Sequence, residues 1–186
     1  MDEFSYLSVL LSIIIGLAIT QILQGLRGIL LARSRVRMYW PVLAWAALLL
    51  ILAVQTWWTM FGLRDVHVWT FPKFSVVLAQ TIVLYMLTAI VLPDFGGENV
   101  DLGKHYHAHT RWFFSLLILL LLVSLGKDLV LYDHLPEPIN VTFHLCFVAV
   151  SLSAMFVRRE RYHKALPVIG LLAFVAYIGL LFVRLH

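Results

Sequence analysis

The sequence predicts an all-α integral membrane protein: one six-transmembrane-helix bundle, with both termini on the non-cytoplasmic side. Three observations carry that expectation. Of 186 residues, 62% are apolar and 13% charged, and the mean hydropathy is +0.92, far outside the range of soluble domains. The apolar residues gather in six runs, approximately 4–31, 41–63, 72–92, 112–131, 139–157 and 165–183. At ~1.5 Å per helical residue, runs of this length suit a hydrocarbon core of about 30 Å. The Lys and Arg residues then divide unevenly between the two ends. One end takes Arg27, Arg33, Arg35, Arg37, Lys104, Arg111, Arg158, Arg159, Arg161 and Lys164, and the other takes only Arg64, Lys73, Lys127 and Arg184. Ten against four assigns the first end to the cytoplasm.

The first run is uncharged from Phe4 to Leu26 and begins behind acidic Asp2 and Glu3. It lacks a basic n-region and a small-residue cleavage site, so a retained helix is expected here and not a signal peptide. Ser5, Ser8, Ser12, Gly16, Thr20, Gln24 and Arg27 recur at intervals of three and four and share one helix face. That face is expected to pack on other helices or line a wet cavity, because polar groups need partners in hydrocarbon and small residues permit close approach. Gly16, Thr20 and Gln24 are its helix-packing positions. Leucine at Gly16 or Thr20 is expected to do more damage than leucine at Ile15 or Ile19.

Tyr39-Trp40-Pro41 supplies an interfacial aromatic pair and a proline where the second helix can start. This helix carries Gln55, Thr56, Trp57, Trp58 and Thr59 near its far end. Pro72 opens the third helix, which carries Gln80, Thr81, Tyr85 and Thr88 before Pro93-Asp-Phe-Gly-Gly97 breaks it. The polar stretch 98–110 contains His105-Tyr-His-Ala-His109 and leads into the fourth helix, with Ser124, Lys127 and Asp128 near its end. The turn Asp133-His-Leu-Pro-Glu-Pro138 makes the fifth helix an antiparallel neighbour of the fourth. The fifth helix holds Asn140 and His144, and the sixth holds Gly170, Tyr177 and Gly179.

Several functional classes lack their signatures. No nucleotide or flavin motif, nucleophile elbow, zinc-protease motif or EF-hand occurs. No acidic residue falls at mid-span, against a carboxylate-centred proton pump, and no periodic arginine helix suggests a voltage sensor. The pI near 9.4 comes from loop residues beside apolar runs, a topology signal, so no nucleic-acid partner is inferred. A lone cysteine, Cys146, excludes an intrachain disulfide.

Two regions could hold chemistry. Lys127, Asp128 and His144 lie about one turn below the outer interface, with Gln55, Gln80, Tyr177 and Ser12 at comparable depth. Ionisable groups inside a membrane are costly and mark ligand paths. Neighbouring helical residues point about 100° apart, so Lys127 and Asp128 are not expected simply to pair with each other. The set reads as an outward-facing ligand or pore site, with snorkelling and interhelical hydrogen bonds as the structural alternative. The second region is the cytoplasmic pair His105 and His109, four apart and on one face if helical, the usual geometry of a two-histidine metal clamp. Asp101, Glu98 and His163 could complete a shell. The spacing resembles the first histidine box of membrane desaturases and hydroxylases, in that five-residue motif alone. No His-x-x-His-His box accompanies it, and His67, His134 and His186 fall at the opposite end, so it implies no di-iron centre.

The expectation is therefore a small channel or transporter for an anion or small polar solute, in a bacterial inner (plasma) membrane. Its partners would be the lipid bilayer and further copies of itself. The alternatives are a membrane-embedded metalloenzyme using the His-x-x-x-His site, with metal the one cofactor considered, and a non-catalytic partner subunit.

Overall fold

The computed structural model describes residues 3–66, 68–95 and 99–181. It contains six helices long and apolar enough to cross a membrane: α1 (Glu3–Leu31), α2 (Trp40–Thr59), α3 (Phe71–Val91), α4 (Leu102–Tyr132), α5 (Pro138–Phe156) and α6 (Glu160–Leu181). A 3₁₀ segment, Met60–Asp65, continues α2. Pro41, Pro72 and Pro138 sit in the first turns of α2, α3 and α5, where the missing N–H would have no intrahelical partner anyway. Asp133 ends α4 in the left-handed conformation, φ 57°, with its N–H donating to the Leu129 carbonyl. Among non-glycine residues, a short polar side chain tolerates that geometry best. The expected end of the sixth run at 183, the Gly96-Gly97 break and Glu98 lie outside the described residues.

α4 starts ten residues before the expected span at 112, so the histidine stretch is helical. α6 likewise starts at Glu160 instead of 165. Polar residues extend these helices past their apolar runs, and hydropathy alone does not see that. Two short strands, β1 (Val36–Arg37) and β2 (Val100–Asp101), pair in parallel, Val36 opposite Val100 and Arg37 opposite Asp101. They tie the α1–α2 connection to the start of α4. Asp101 also caps α4 by accepting the Lys104 N–H at 2.9 Å. At the other end, the Glu3 carboxylate accepts the Trp69 N–H at 3.3 Å and ties the start of α1 to the α2–α3 connection.

α3 lies between α1 and α4, α4 between α3 and α5, and α6 against α2 and α5, while α2 also touches α1, α3 and α4. The core centres on α2 and α4: Trp45 meets Phe113 and Phe114 edge-on at 5.2 and 5.6 Å between ring centres. A second apolar cluster of Leu11, Ile15, Met60, Leu63, Val66, Val77 and Leu131 closes the end of the bundle at which α1 begins.

The face that α1 turns inward corrects the sequence expectation. Leu11, Ile15, Ala18, Ile22 and Ile29 are its buried residues, whereas Ser12, Gly16, Thr20, Gln24 and Arg27 are exposed. Open space surrounds the Gly16 Cα, while a Cβ added at Gly25 would come within 2.5 Å of Leu92, and one at Gly28 would overlap the Phe95 ring. The close approach is therefore made by Gly25 and Gly28 against the end of α3. Ile15, expected to tolerate change, is 1% exposed. α1 is apolar nearly all round, so its packed seam gives no contrast in the sequence, and the serine and threonine stripe stands out for a different reason.

Candidate functional site

The charged pair sits five and four residues before the end of α4, about 7 Å along the axis from Tyr132. Lys127 and Asp128 are mostly buried, with side chains 18% and 22% exposed, and Lys127 Nζ lies 3.6 Å from Asp128 Oδ1. This corrects the expectation that the two would not pair. Their Cβ atoms do diverge around the helix, but the four-carbon lysine stem arcs back far enough for an ion pair, though not for a hydrogen bond.

The divergence still organises the surroundings. On one side, Lys127 lines a crevice of about 20 Å³, room for about one water, with Thr56, Thr59, Met60 and Leu63 from the α2 end and Val77, Gln80 and Thr81 from α3. The three threonine hydroxyls donate to carbonyls of their own helices, Thr56 to Leu52 and Thr81 to Leu78 at 2.8 Å and Thr59 to Thr56 at 3.1 Å. Their oxygen lone pairs remain as acceptors, and the Lys127 ammonium and Gln80 amide are the donors.

Beyond the crevice, both charges are close enough to His144 to act on it, and Asp128 is also a charged neighbour of Tyr177. His144 is buried, with Nδ1 3.0 Å from the Asn140 carbonyl and Nε2 3.3 Å from Ser124 Oγ. A carbonyl only accepts, so Nδ1 carries the proton and Ser124 donates to Nε2. The Tyr177 hydroxyl donates to Asn140 Oδ1 at 3.1 Å, and its ring meets His144 edge-on. A layer of polar side chains thus links α2, α3 and α4 at the crevice, and α4, α5 and α6 through Ser124–His144 and Asn140–Tyr177.

Of the residues expected at this site, Lys127, Asp128, Gln80, His144 and Tyr177 are brought into the layer. Gln55 is half-buried on α2 but does not line the crevice, and Ser12 is exposed on the outer face of α1. Thr56, Thr81, Ser124 and Asn140 were not singled out. Spacing could have found two of them: Thr56 and Thr59, and Gln80 and Thr81, fall on the helix faces that also carry buried Met60 and Val77. A further hydrogen bond, from Gln21 Nε2 to the Tyr85 hydroxyl at 3.3 Å, joins α1 to α3.

The histidines at the other end each hold a protein partner. His105 and His109 share a helix face with ring centres 4.4 Å apart. His105 Nε2 donates to the Ile90 carbonyl and His109 Nδ1 to the His105 carbonyl, both at 2.9 Å. His163 is buried; Nε2 donates to the Val157 carbonyl at 2.7 Å, and Nδ1 accepts from the Tyr106 hydroxyl at 2.9 Å. Asp101 caps α4 and lies 3.4 Å from Arg37. Its carboxyl is held below the usual range, first by the Lys104 backbone N–H and then by the Arg37 charge. Among the described residues, no three His, Cys, Asp or Glu side chains converge as a metal would require. The expected set of His105, His109, His163 and Asp101 is therefore taken up in separate contacts with other protein groups.

No protein-family model, curated protein or solved structure matches this chain.

Proposed function

We propose that this protein is a small channel or transporter for an anion or small polar solute, with the Lys127 crevice as its outward-facing binding site. The observation that carries the reading is a lysine ammonium, mostly buried, placed among Gln80 and three threonines near the end of a helix bundle. Attraction between a cation and an anion strengthens as the dielectric falls, and a desolvated lysine held by one carboxylate keeps donors free for a second anion. Asp128 opposes that preference by neutralising the pair, so the site discriminates by hydrogen bonding as much as by charge. The basic loops at the far end would face the cytoplasm and both termini the outside of a bacterial inner membrane.

A second reading, a partner or oligomer subunit, is favoured by the exposed polar face of α1. Ser12, Gly16, Thr20 and Gln24 gain partners there if α1 packs on another chain. Reconstitution of the purified protein into liposomes, with uptake of small inorganic anions and neutral polar solutes compared against empty liposomes, tests the transport reading. Solute-specific uptake supports it, and uptake equal to that of empty liposomes favours the subunit reading.

A further inference from the structure

The connection between α5 and α6 carries charge that the bundle itself does not use. Val157, Arg158, Arg159, Arg161 and Tyr162 line an open concavity of about 710 Å³. The three arginines are exposed, and none makes an ion pair among the described residues. The neighbouring acid, Glu160, is occupied by Lys164 at 2.6 Å. Three arginines thus line one hollow, and none of them is ion-paired with a carboxylate among the described residues.

The hollow is also held in shape. The Val157 N–H donates to the Ser153 carbonyl, the Val157 carbonyl accepts from His163 Nε2, and the Tyr162 and Ser153 hydroxyls are hydrogen-bonded to each other. His163 is fixed in turn by Tyr106 of α4. Loop and first turn of α6 are therefore clamped from both sides, which limits the ordering cost of binding.

From this we infer that the α5–α6 connection is a binding site for the phosphodiester headgroup of an anionic phospholipid. Arginine matches phosphate oxygens with paired N–H donors, and basic pockets between membrane helices take such headgroups. The apolar half of the ligand is also provided for. Leu152 and Phe156, one turn apart on α5, are 44% and 79% exposed immediately ahead of the arginines. They offer an acyl chain a surface that free phosphate could not use. The inference does not depend on transport activity.

The test uses the full chain in mixed micelles containing cardiolipin, phosphatidylglycerol or phosphatidylcholine, with retained lipid counted by native mass spectrometry and inorganic phosphate as a fourth arm. Cardiolipin and phosphatidylglycerol should be retained over phosphatidylcholine and free phosphate. Arg158→Gln/Arg159→Gln/Arg161→Gln should weaken retention about 100-fold, while Arg33→Gln/Arg35→Gln, at the same end of the bundle, should leave it unchanged. If the triple variant does not fold, R158Q, R159Q and R161Q singly should each lose about fivefold. Equal loss in the Arg33/Arg35 variant would reduce the effect to general surface charge and overturn the site. Free phosphate binding as well as lipid, or no preference between anionic and zwitterionic lipid, would overturn it too.

Discussion

Lys127 and Asp128 are sequence neighbours that pair with each other at 3.6 Å, and of the two only the lysine lines the crevice. The lysine packs there against α2 and α3, both charges act on His144 of α5, and the carboxylate also acts on Tyr177 of α6. Removing one partner of a buried ion pair leaves the other uncompensated, at a typical cost of ~3–5 kcal/mol when fully buried. With about a fifth of each side chain exposed, a smaller loss is expected here. Lys127→Met should therefore destabilise the fold more than Lys127→Met/Asp128→Asn, which removes both charges. Thermal unfolding in one detergent checks this, and equal stability of the two variants would show that the pair is not coupled.

The glycines of α1 separate folding from assembly. Gly25→Ala and Gly28→Ala should each cost ~1–3 kcal/mol by overpacking against Leu92 and Phe95. Gly16→Ala meets open space and should leave the monomer as stable or more so, since alanine favours helix over glycine. Gly16→Leu and Thr20→Leu should act on cross-linked oligomer yield instead. A folding defect from Gly16→Ala would contradict the packing described for α1.

Asp101 joins the β1–β2 pair to α4. Asp101→Ala should lower the melting temperature, and Asp101→Asn should lower it less, because an amide oxygen still caps the helix. The carboxyl is held below its ordinary value of 3.8, so its stabilisation is present above that pH and is lost as pH falls through the lower folded value. The difference between wild type and Asp101→Ala should thus be full at neutral pH and shrink in strong acid. A difference independent of pH would assign the effect to something other than the ionised cap.

Orientation is tested at the loop after α1. Ser34→Cys, at an exposed position, should resist a membrane-impermeant maleimide added to intact cells and react once the membrane is opened. Rapid labelling of intact cells would invert the topology and move the Lys127 crevice to the cytoplasmic side.

The helices were legible because hydrocarbon demands long uncharged runs, and prolines at 41, 72 and 138 mark three of their starts. The extensions of α4 back to Leu102 and of α6 back to Glu160 were not, because polar helix beyond an apolar run has no hydropathy signature. The inward face of α1 was misread for a related reason. Lipid and protein interior are equally apolar, so Ile15 and Ile22 look like lipid-facing residues until a neighbour is placed against them. At the candidate site, depth counting expects Lys127, Gln80, His144 and Tyr177 at one level across four helices. It did not decide rotation about each axis, which is what leaves Ser12 outside and brings Thr56 and Thr81 in.

Flux through reconstituted Lys127→Met and Lys127→Met/Asp128→Asn tests most directly the proposal that Lys127 binds a transported solute. Both variants should lose anion or solute uptake while keeping wild-type helicity and oligomeric state, and Asp128→Asn alone should retain it. Uptake unchanged in either lysine variant would contradict the account and leave Lys127 as an anchor paired with Asp128.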